Sequence, residues 1–153
     1  MEKIIVLSEK EIRFKSSAAT NILYKRAFKD DVLVKITAYM KNLKELKNIQ
    51  ARITELKNDT TKTKEEIATE MTALVQTGVM SELTAFSNEI LPRLAYIMYL
   101  EANEEQRTIF SKLNEESYLG WLMAMDQDDL TSITGDIMTI WLAGAKNNSK
   151  PKN

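Results

Sequence analysis

The sequence contains no cysteine and no histidine among its 153 residues. Without cysteine, a disulfide, a thiolate nucleophile and a cysteine-based zinc or iron–sulfur site are all excluded. Without histidine, the commonest general base at neutral pH and the usual zinc ligand are missing as well. Any catalysis would depend on carboxylates, lysine or tyrosine. We therefore expect a protein that is not an enzyme and that has no catalytic residues, no cofactor and no metal site.

Glycine and long apolar runs are also scarce. The four glycines, Gly78, Gly120, Gly135 and Gly144, are far apart, so no phosphate-binding glycine loop is present. The first 13 residues lack the apolar core of a secretory signal. The longest apolar stretch, at residues 94–100, falls well short of the roughly 20 residues that cross a bilayer. These absences predict a cytoplasmic protein without a membrane segment.

An excess of positive charge, the usual mark of a nucleic-acid binder, is missing too. The chain has 21 basic and 22 acidic residues, for a formal net charge of −1. The lysine-rich segment 41–64 is the best local candidate, but its acidic residues and leucine stripe favour a solvated helical hairpin. Residues 126–145 contain no Lys or Arg and so offer no basic recognition helix. We expect no nucleic-acid partner.

The first 15 residues have the pattern of a β-hairpin. Two short runs, Ile4–Leu7 and Ile12–Lys15, flank the polar segment Ser8–Glu11. In the second run, Ile12 and Phe14 alternate with charged residues and therefore share one face. A lone hairpin needs such a face in order to pack on helices. We predict a short N-terminal hairpin on a helical body.

Apolar residues at near-helical spacing follow the hairpin. They predict a short helix that ends near Phe28, and either Ser16 or Ser17 can accept its free N–H groups. Asp30 is a candidate cap for a second helix, which should be long and reach about Lys57.

Beyond this helix, the polar residues 58–63 predict a turn, and Glu65 begins the next helix. The two helices can pair as a long hairpin around residues 31–76. Gly78 is a predicted helix stop, and Ser81 is the predicted cap of a helix that Pro92 should kink or split.

Residues 101–106 form a predicted acidic turn, and a helix around Tyr118 ends near Asp126. Asp128 or Asp129 should cap the last helix, and Gly144 should stop it. A calcium site at these aspartates is disfavoured, because a calcium loop needs a central Gly and a final Glu.

Residues 146–153 are polar and cationic and predict a disordered tail after a single domain over residues 1–145. The predicted fold class is mainly α: a small helical bundle with a short N-terminal β-hairpin and this tail. The apolar stripes are broad and are not strict heptads, which favours a monomer or weak self-association.

Large aromatic side chains are the candidates for partner contacts. Aromatic residues anchor interfaces, and methionine, of which the chain has eight, adapts to irregular partners. Most of these side chains should pack in the core, and the remainder should meet a partner. The candidates are Tyr24, Phe28, Tyr96, Tyr99, Trp121 and Trp141.

Three stretches resemble the tail assembly chaperones of long-tailed phages and prophages of Gram-positive bacteria. The first joins Ile12–Lys15 to the basic helix Asn21–Asp31, which ends in Phe, basic and Asp residues. The second is the apolar segment Leu91–Met98, and the third combines Tyr118–Leu122 with Ile137–Trp141. Together they cover about half of the chain, while residues 44–78 look longer than the family's usual connection.

The resemblance implies a non-virion protein in the host cytoplasm that binds the tape measure protein and helps recruit major tail tube subunits. Contact with the tube protein would come mainly through a longer product of programmed ribosomal frameshifting. Ala145-Lys146-Asn147 can be encoded as GCA AAA AAC, which contains the slippery heptamer A AAA AAC. The alternative is a helical protein-interaction adaptor or regulator of phage or bacterial origin.

Overall fold

The structure is a computed structural model that describes residues 1–7 and 10–148, with side chains up to Gly144. It confirms the predicted fold class, which is mainly α with a short N-terminal antiparallel hairpin. The elements, in chain order, are β1 (Glu2–Leu7), β2 (Lys10–Lys15), α1 (Thr20–Phe28), α2 (Val32–Lys57), α3 (Lys64–Val75), α4 (Val79–Ala85), a π-helical turn (Phe86–Ile90), α5 (Leu91–Asn103), α6 (Gln106–Ser111), α7 (Glu115–Met123) and α8 (Gln127–Asn148).

The chain divides into two compact units. Unit 1 consists of residues 1–33 and 87–153, and unit 2 consists of residues 34–86. The single domain predicted over residues 1–145 thus spans both units.

The hairpin of unit 1 has the predicted strands. β1 pairs antiparallel with β2, and Ile5 lies opposite Ile12. Phe14 on β2 is fully buried, and Ile5 and Leu7 on β1 are buried. Because side chains alternate along a strand, these residues form one inward face. Ile4 lies on the opposite face and is exposed.

Helix α5 is the centre of unit 1. It contacts β2, α1, α6, α7 and α8. Eight of its 13 residues are buried, including Leu94, Ile97 and Leu100. Complete burial of one such aliphatic side chain stabilises a fold by about 1.5 to 3 kcal/mol. Opposite α5, helix α8 contributes the fully buried Ile133 and Ile137.

The start of α1 differs from the prediction. Ala19 precedes the helix and no side chain caps it, so the predicted cap at Ser16 or Ser17 is wrong. The Ser17 hydroxyl accepts only from the N–H of Ala19, before the helix, and donates to Glu101 of α5. The Thr20 hydroxyl also donates to Glu101, over 2.6 Å. The two hydroxyls therefore bond to the half-buried Glu101 carboxylate and do not cap the helix.

Helix α2 ends at Lys57, as predicted. Its cap is Asp31 and not Asp30, because the Asp31 side chain accepts from the N–H of Leu33 over 3.0 Å. Asp30 instead accepts from the N–H of Asp31.

The predicted turn at residues 58–63 is present between α2 and α3. Thr63 caps α3 by accepting from the N–H of Glu66. Within unit 2, Arg52 and Lys62 both pair with Glu70, over 2.6 and 2.7 Å. These ion pairs connect α2 and the turn to α3, and they hold the pKa of Glu70 below its ordinary value.

The start of α4 also differs from the prediction. Gly78 is not the stop of α3, which ends at Val75, but the residue before α4, with a φ of 81°. Glycine suits this backbone because it has no Cβ atom to clash. Ser81 lies inside α4 and is not its cap. Phe86 stacks on Tyr39 of α2, with ring centroids 4.1 Å apart.

Pro92 lies at the start of α5, immediately after the π-helical turn Phe86–Ile90. Proline lacks an N–H and its ring clashes with the carbonyl four residues earlier, so a regular α-helix cannot run through it unchanged. The wider π turn provides the extra room. The sequence predicts a kink or a split at Pro92. In the structure, the helix changes there from π-helical to α-helical geometry.

The predicted acidic turn at residues 101–106 is mostly helical. Helix α5 continues to Asn103, and the six-residue helix α6 starts at Gln106. Glu101 is half-buried inside α5. An apolar stripe cannot reveal α6, because a helix of fewer than two turns shows little periodicity.

Helix α8 begins at Gln127, so Asp128 and Asp129 lie in its first turn and are not caps. Negative charge in that turn still offsets the helix dipole. Gly144 does not stop the helix, which runs to Asn148. The predicted tail 146–153 is thus helical to residue 148, and residues 149–153 lie outside the described part of the chain.

Candidate functional site

Seven aromatic rings of unit 1 form a continuous series of contacts. Neighbouring ring centroids are 5.0 to 6.5 Å apart, within the range of favourable aromatic pairs. The series includes five of the six predicted partner-binding residues. In order of contact it consists of Tyr24, Phe28, Tyr118, Tyr96, Trp121, Tyr99 and Phe14.

The candidate residues differ in exposure. Tyr24 and Tyr96 are buried, so their rings contribute to the core. Phe28, Tyr99 and Trp121 are half-buried and keep part of their surface accessible. A role for these three side chains in partner binding stays a prediction. Each of them has accessible surface with which to contact a partner.

Trp141 lies apart from the series. Its ring is buried, and its indole N–H donates to the Asn21 Oδ1 over 2.9 Å. This hydrogen bond links α8 to α1 and satisfies the polar atom of a ring that is otherwise packed in the core.

The hydroxyl of Tyr24 is buried and has no hydrogen-bond partner among the described residues. Burial raises the pKa of Tyr24 to about 12, against the opposing influence of the nearby Arg93 guanidinium. Arg93 is itself engaged with Glu89 over 3.2 Å and lies 5.1 Å from the centre of the Phe28 ring. Tyr24 therefore remains a neutral, structural tyrosine at physiological pH.

An open cleft of about 340 Å³ lies where the aromatic series reaches the surface. We call it the aromatic cleft. Helix α5 contributes one wall, helix α7 contributes a second, and residues before and after α6 close the rim. The residues that line the cleft are Tyr96, Tyr99, Leu100, Glu104, Lys112, Ser117 and Trp121.

The polar rim of the aromatic cleft is ordered by two contacts. The Lys112 ammonium donates to the Glu104 Oε1 over 2.7 Å, and the Tyr96 hydroxyl donates to the carbonyl oxygen of Lys112 over 2.9 Å. Burial raises the pKa of Tyr96, so its hydroxyl keeps its proton and remains a donor. The rim is thus anchored to the aromatic wall.

The position of α7 follows from its first turn. Asn114 caps the helix by accepting from the N–H of Ser117 over 2.8 Å. Glu115 and Glu116 follow in the first turn, where negative charge offsets the helix dipole. The cap fixes the start of α7 beside the cleft and directs Trp121 toward Tyr96 and Tyr99.

The outer face of α7 is apolar and open to solvent. Leu119 is 45% exposed and Met123 is 85% exposed, and the two lie one helical turn apart. Leu122 between them is half-buried. We call Leu119, Leu122 and Met123 the α7 surface. Because the inner face of the same helix lines the aromatic cleft, α7 has apolar residues on both sides.

Two further depressions on the surface of the described residues can be compared with it. One of about 440 Å³ is bounded by α5, α8 and the π turn and has mainly uncharged polar walls, such as Asn88 and Gln127. The other, of about 580 Å³, lies along the acidic side of α3. Neither has an aromatic side chain in its walls. Of these three depressions, the aromatic cleft is the one that combines aromatic with charged side chains.

Sequence reasoning missed the rim of the cleft. Glu104 looks like one of several solvated acids, and Lys112 is eight residues away, a distance that reveals no pairing. Trp121 and Tyr99 were found from their residue type. Within the described residues, no group of acidic side chains is arranged to hold a metal ion. No helix in this part of the chain is long and apolar enough to cross a membrane.

Comparison of the chain with protein families, with curated proteins and with solved structures finds no match in any of the three. The site must therefore be interpreted from its own chemistry.

Proposed function

We propose that this chain is a tail assembly chaperone of a long-tailed phage or prophage and binds the tape measure protein in the host cytoplasm. The observation that supports the proposal best is the exposed α7 surface next to the aromatic cleft. The sequence stretch Tyr118–Leu122, which resembles the closing helices of that family, belongs to α7.

The chemistry of the α7 surface fits such a partner. A tape measure protein is a long, helical, apolar-rich chain that tends to aggregate before the tail tube encloses it. Leu119 and Met123 can cover an apolar stripe on a partner helix, and methionine adapts to irregular partners. Masking of this kind requires no catalytic group.

The same proposal includes the major tail tube protein as a second partner. A longer frameshift product would carry a further domain that contacts tube subunits while the shorter region holds the tape measure protein. Tethering raises the effective concentration of the second partner. The gene should then contain a slippery heptamer near the codons for Lys146 and Asn147, and a gene without one would remove this part of the proposal.

Co-expression with the tape measure protein of the same genome tests the central claim. The chain should raise the fraction of tape measure protein that stays in solution after centrifugation. Met123→Glu should reduce that fraction several-fold, because it places a charge on the α7 surface. Met80→Glu, on the exposed side of α4, is the matched control and should leave it unchanged.

Equal insolubility with and without the chain would refute the tape measure assignment. Equal effects of the two glutamate substitutions would instead show that the α7 surface is not the contact.

A further inference from the structure

The aromatic cleft combines aromatic faces with a carboxylate that is only partly used. Tyr99 and Trp121 have accessible surface there, and their ring centroids are 5.7 Å apart. The Glu104 Oε1 accepts from Lys112, whereas its Oε2 has no partner among the described residues. Aromatic faces attract cations through the negative potential above the ring. A carboxylate beside them adds a direct acceptor for such a cation.

Of the residues that line the cleft, two are charged, Glu104 and Lys112. Lys112 pairs with the Glu104 Oε1, which leaves the Glu104 Oε2 as an acceptor. The C-terminal end of α5, at Asn103, adds the negative end of a helix dipole. The second carboxylate oxygen and this helix end together favour a cation with N–H donors as the ligand.

Unit 1 contains an internal example of the same recognition. The Arg93 guanidinium lies 5.1 Å from the centre of the Phe28 ring and pairs with Glu89 over 3.2 Å. One guanidinium thus uses an aromatic face and a carboxylate together. The aromatic cleft presents the same two groups, an aromatic face and a carboxylate, on an accessible surface.

We propose that the aromatic cleft is a receptor for an arginine side chain presented by a protein partner. The guanidinium lies against the accessible faces of Trp121 and Tyr99 and donates to the carboxylate of Glu104. Arginine fits better than lysine because its planar group stacks on aromatic rings and presents a fork of N–H donors to a carboxylate. The α7 surface lies next to the cleft. It contacts the partner's apolar residues that flank this arginine.

This inference rests on the proposed function for the identity of the partner, since it names what the same site would recognise on it. The chemistry of the cleft can nevertheless be measured without the tape measure protein. The two ideas can therefore fail separately.

The test is a titration of the full chain with acetyl-arginine amide, followed by NMR of the two indole N–H groups. The Trp121 signal should shift in a saturable way at millimolar concentrations. The Trp141 signal is an internal control, because its indole N–H is bonded to Asn21 inside the core. Acetyl-citrulline amide has nearly the same shape without the charge and should shift neither signal.

Three variants locate the contact. Glu104→Gln should weaken binding about tenfold, the effect expected for loss of a charge-assisted hydrogen bond. Tyr99→Leu should weaken it several-fold, because one of the two aromatic faces is removed. Glu116→Gln is the matched control, since this exposed acid does not line the cleft and its loss should change little.

An unchanged Trp141 signal certifies that each variant is folded. The proposal is overturned if Trp121 does not respond to arginine, if citrulline shifts it equally, or if Glu104→Gln and Glu116→Gln behave alike.

Discussion

Gly144 of α8 lies so close to Ser16 that a Cβ atom at position 144 would be 2.5 Å from the Ser16 hydroxyl oxygen and 2.9 Å from its Cβ. The glycine therefore allows the helix to approach the segment before α1. Gly144 therefore serves close packing within unit 1, and α8 continues through it.

Gly144→Ala should lower the free energy of unfolding by about 1 to 3 kcal/mol, the usual cost of an overpacked contact. Gly135→Ala in the same helix is the control, because its added Cβ would have no atom within 4 Å apart from its chain neighbours and the nearby backbone of α8. That substitution should stabilise the protein by about 0.5 to 1 kcal/mol through helix propensity. Chemical denaturation measures both effects. If Ser16→Gly fails to rescue Gly144→Ala, the close contact is not the cause.

Two buried tyrosines form a matched pair for hydroxyl removal. The Tyr96 hydroxyl donates to the carbonyl of Lys112, whereas the Tyr24 hydroxyl has no partner among the described residues. Tyr96→Phe should cost about 1 kcal/mol, and Tyr24→Phe should be neutral or stabilising because no hydrogen bond is lost. Denaturation curves that show the larger loss for Tyr24→Phe would contradict this assignment.

Glu101 should give the protein a distinct pH dependence. Burial raises the pKa of its carboxyl above the ordinary value of 4.5, although hydrogen bonds from Ser17 and Thr20 oppose the shift. The folded state then binds the proton more readily than the unfolded state. The contribution of Glu101 to stability therefore increases as the pH falls through its raised pKa toward 4.5, and it is lost again as the pH rises.

Comparison with Glu101→Gln isolates this effect from the other acids. The stability difference between the two proteins should move in favour of the original chain as the pH falls. The positive charges of Lys15 and the N-terminal ammonium also act on Glu101 and oppose the rise in its pKa. A difference that is constant with pH would show that the carboxyl has an ordinary pKa.

Trp141 tests the link between α8 and α1. Trp141→Ala should destabilise by about 3 to 5 kcal/mol because it removes a buried ring. Trp141→Phe keeps most of the ring but leaves Asn21 without its donor, so it should cost clearly less. Thermal unfolding of both variants measures the difference. A loss below about 1 kcal/mol for Trp141→Ala, together with loss of partner binding, would place this ring at an interface.

The long periodic elements could be predicted from the sequence. The apolar stripe of α2 extends over many turns and ends at Lys57 as expected. The interruption near Pro92 could also be predicted, because proline disrupts a helix by its own covalent structure. In both cases the cause lies within the segment itself.

Features that depend on distant neighbours could not be predicted. Gly144 has the pattern of a helix stop, and only the position of Ser16 shows that it allows close packing. Glu101 looks like a solvated acid until the hydroxyls of Ser17 and Thr20 are placed against it. The aromatic residues of the cleft could be chosen by type, but the pairing of their rings required the fold.

The position of Trp121 between Tyr96 and Tyr99 has an optical consequence. Tyrosines this close to an indole transfer their excitation to it, so they should contribute little emission of their own in the folded protein. If the three rings separate while α5 and α8 remain packed, tyrosine emission should return while Trp141 still fluoresces in its buried environment. The intrinsic fluorescence of the chain can thus distinguish opening of the cleft from global unfolding without any added label.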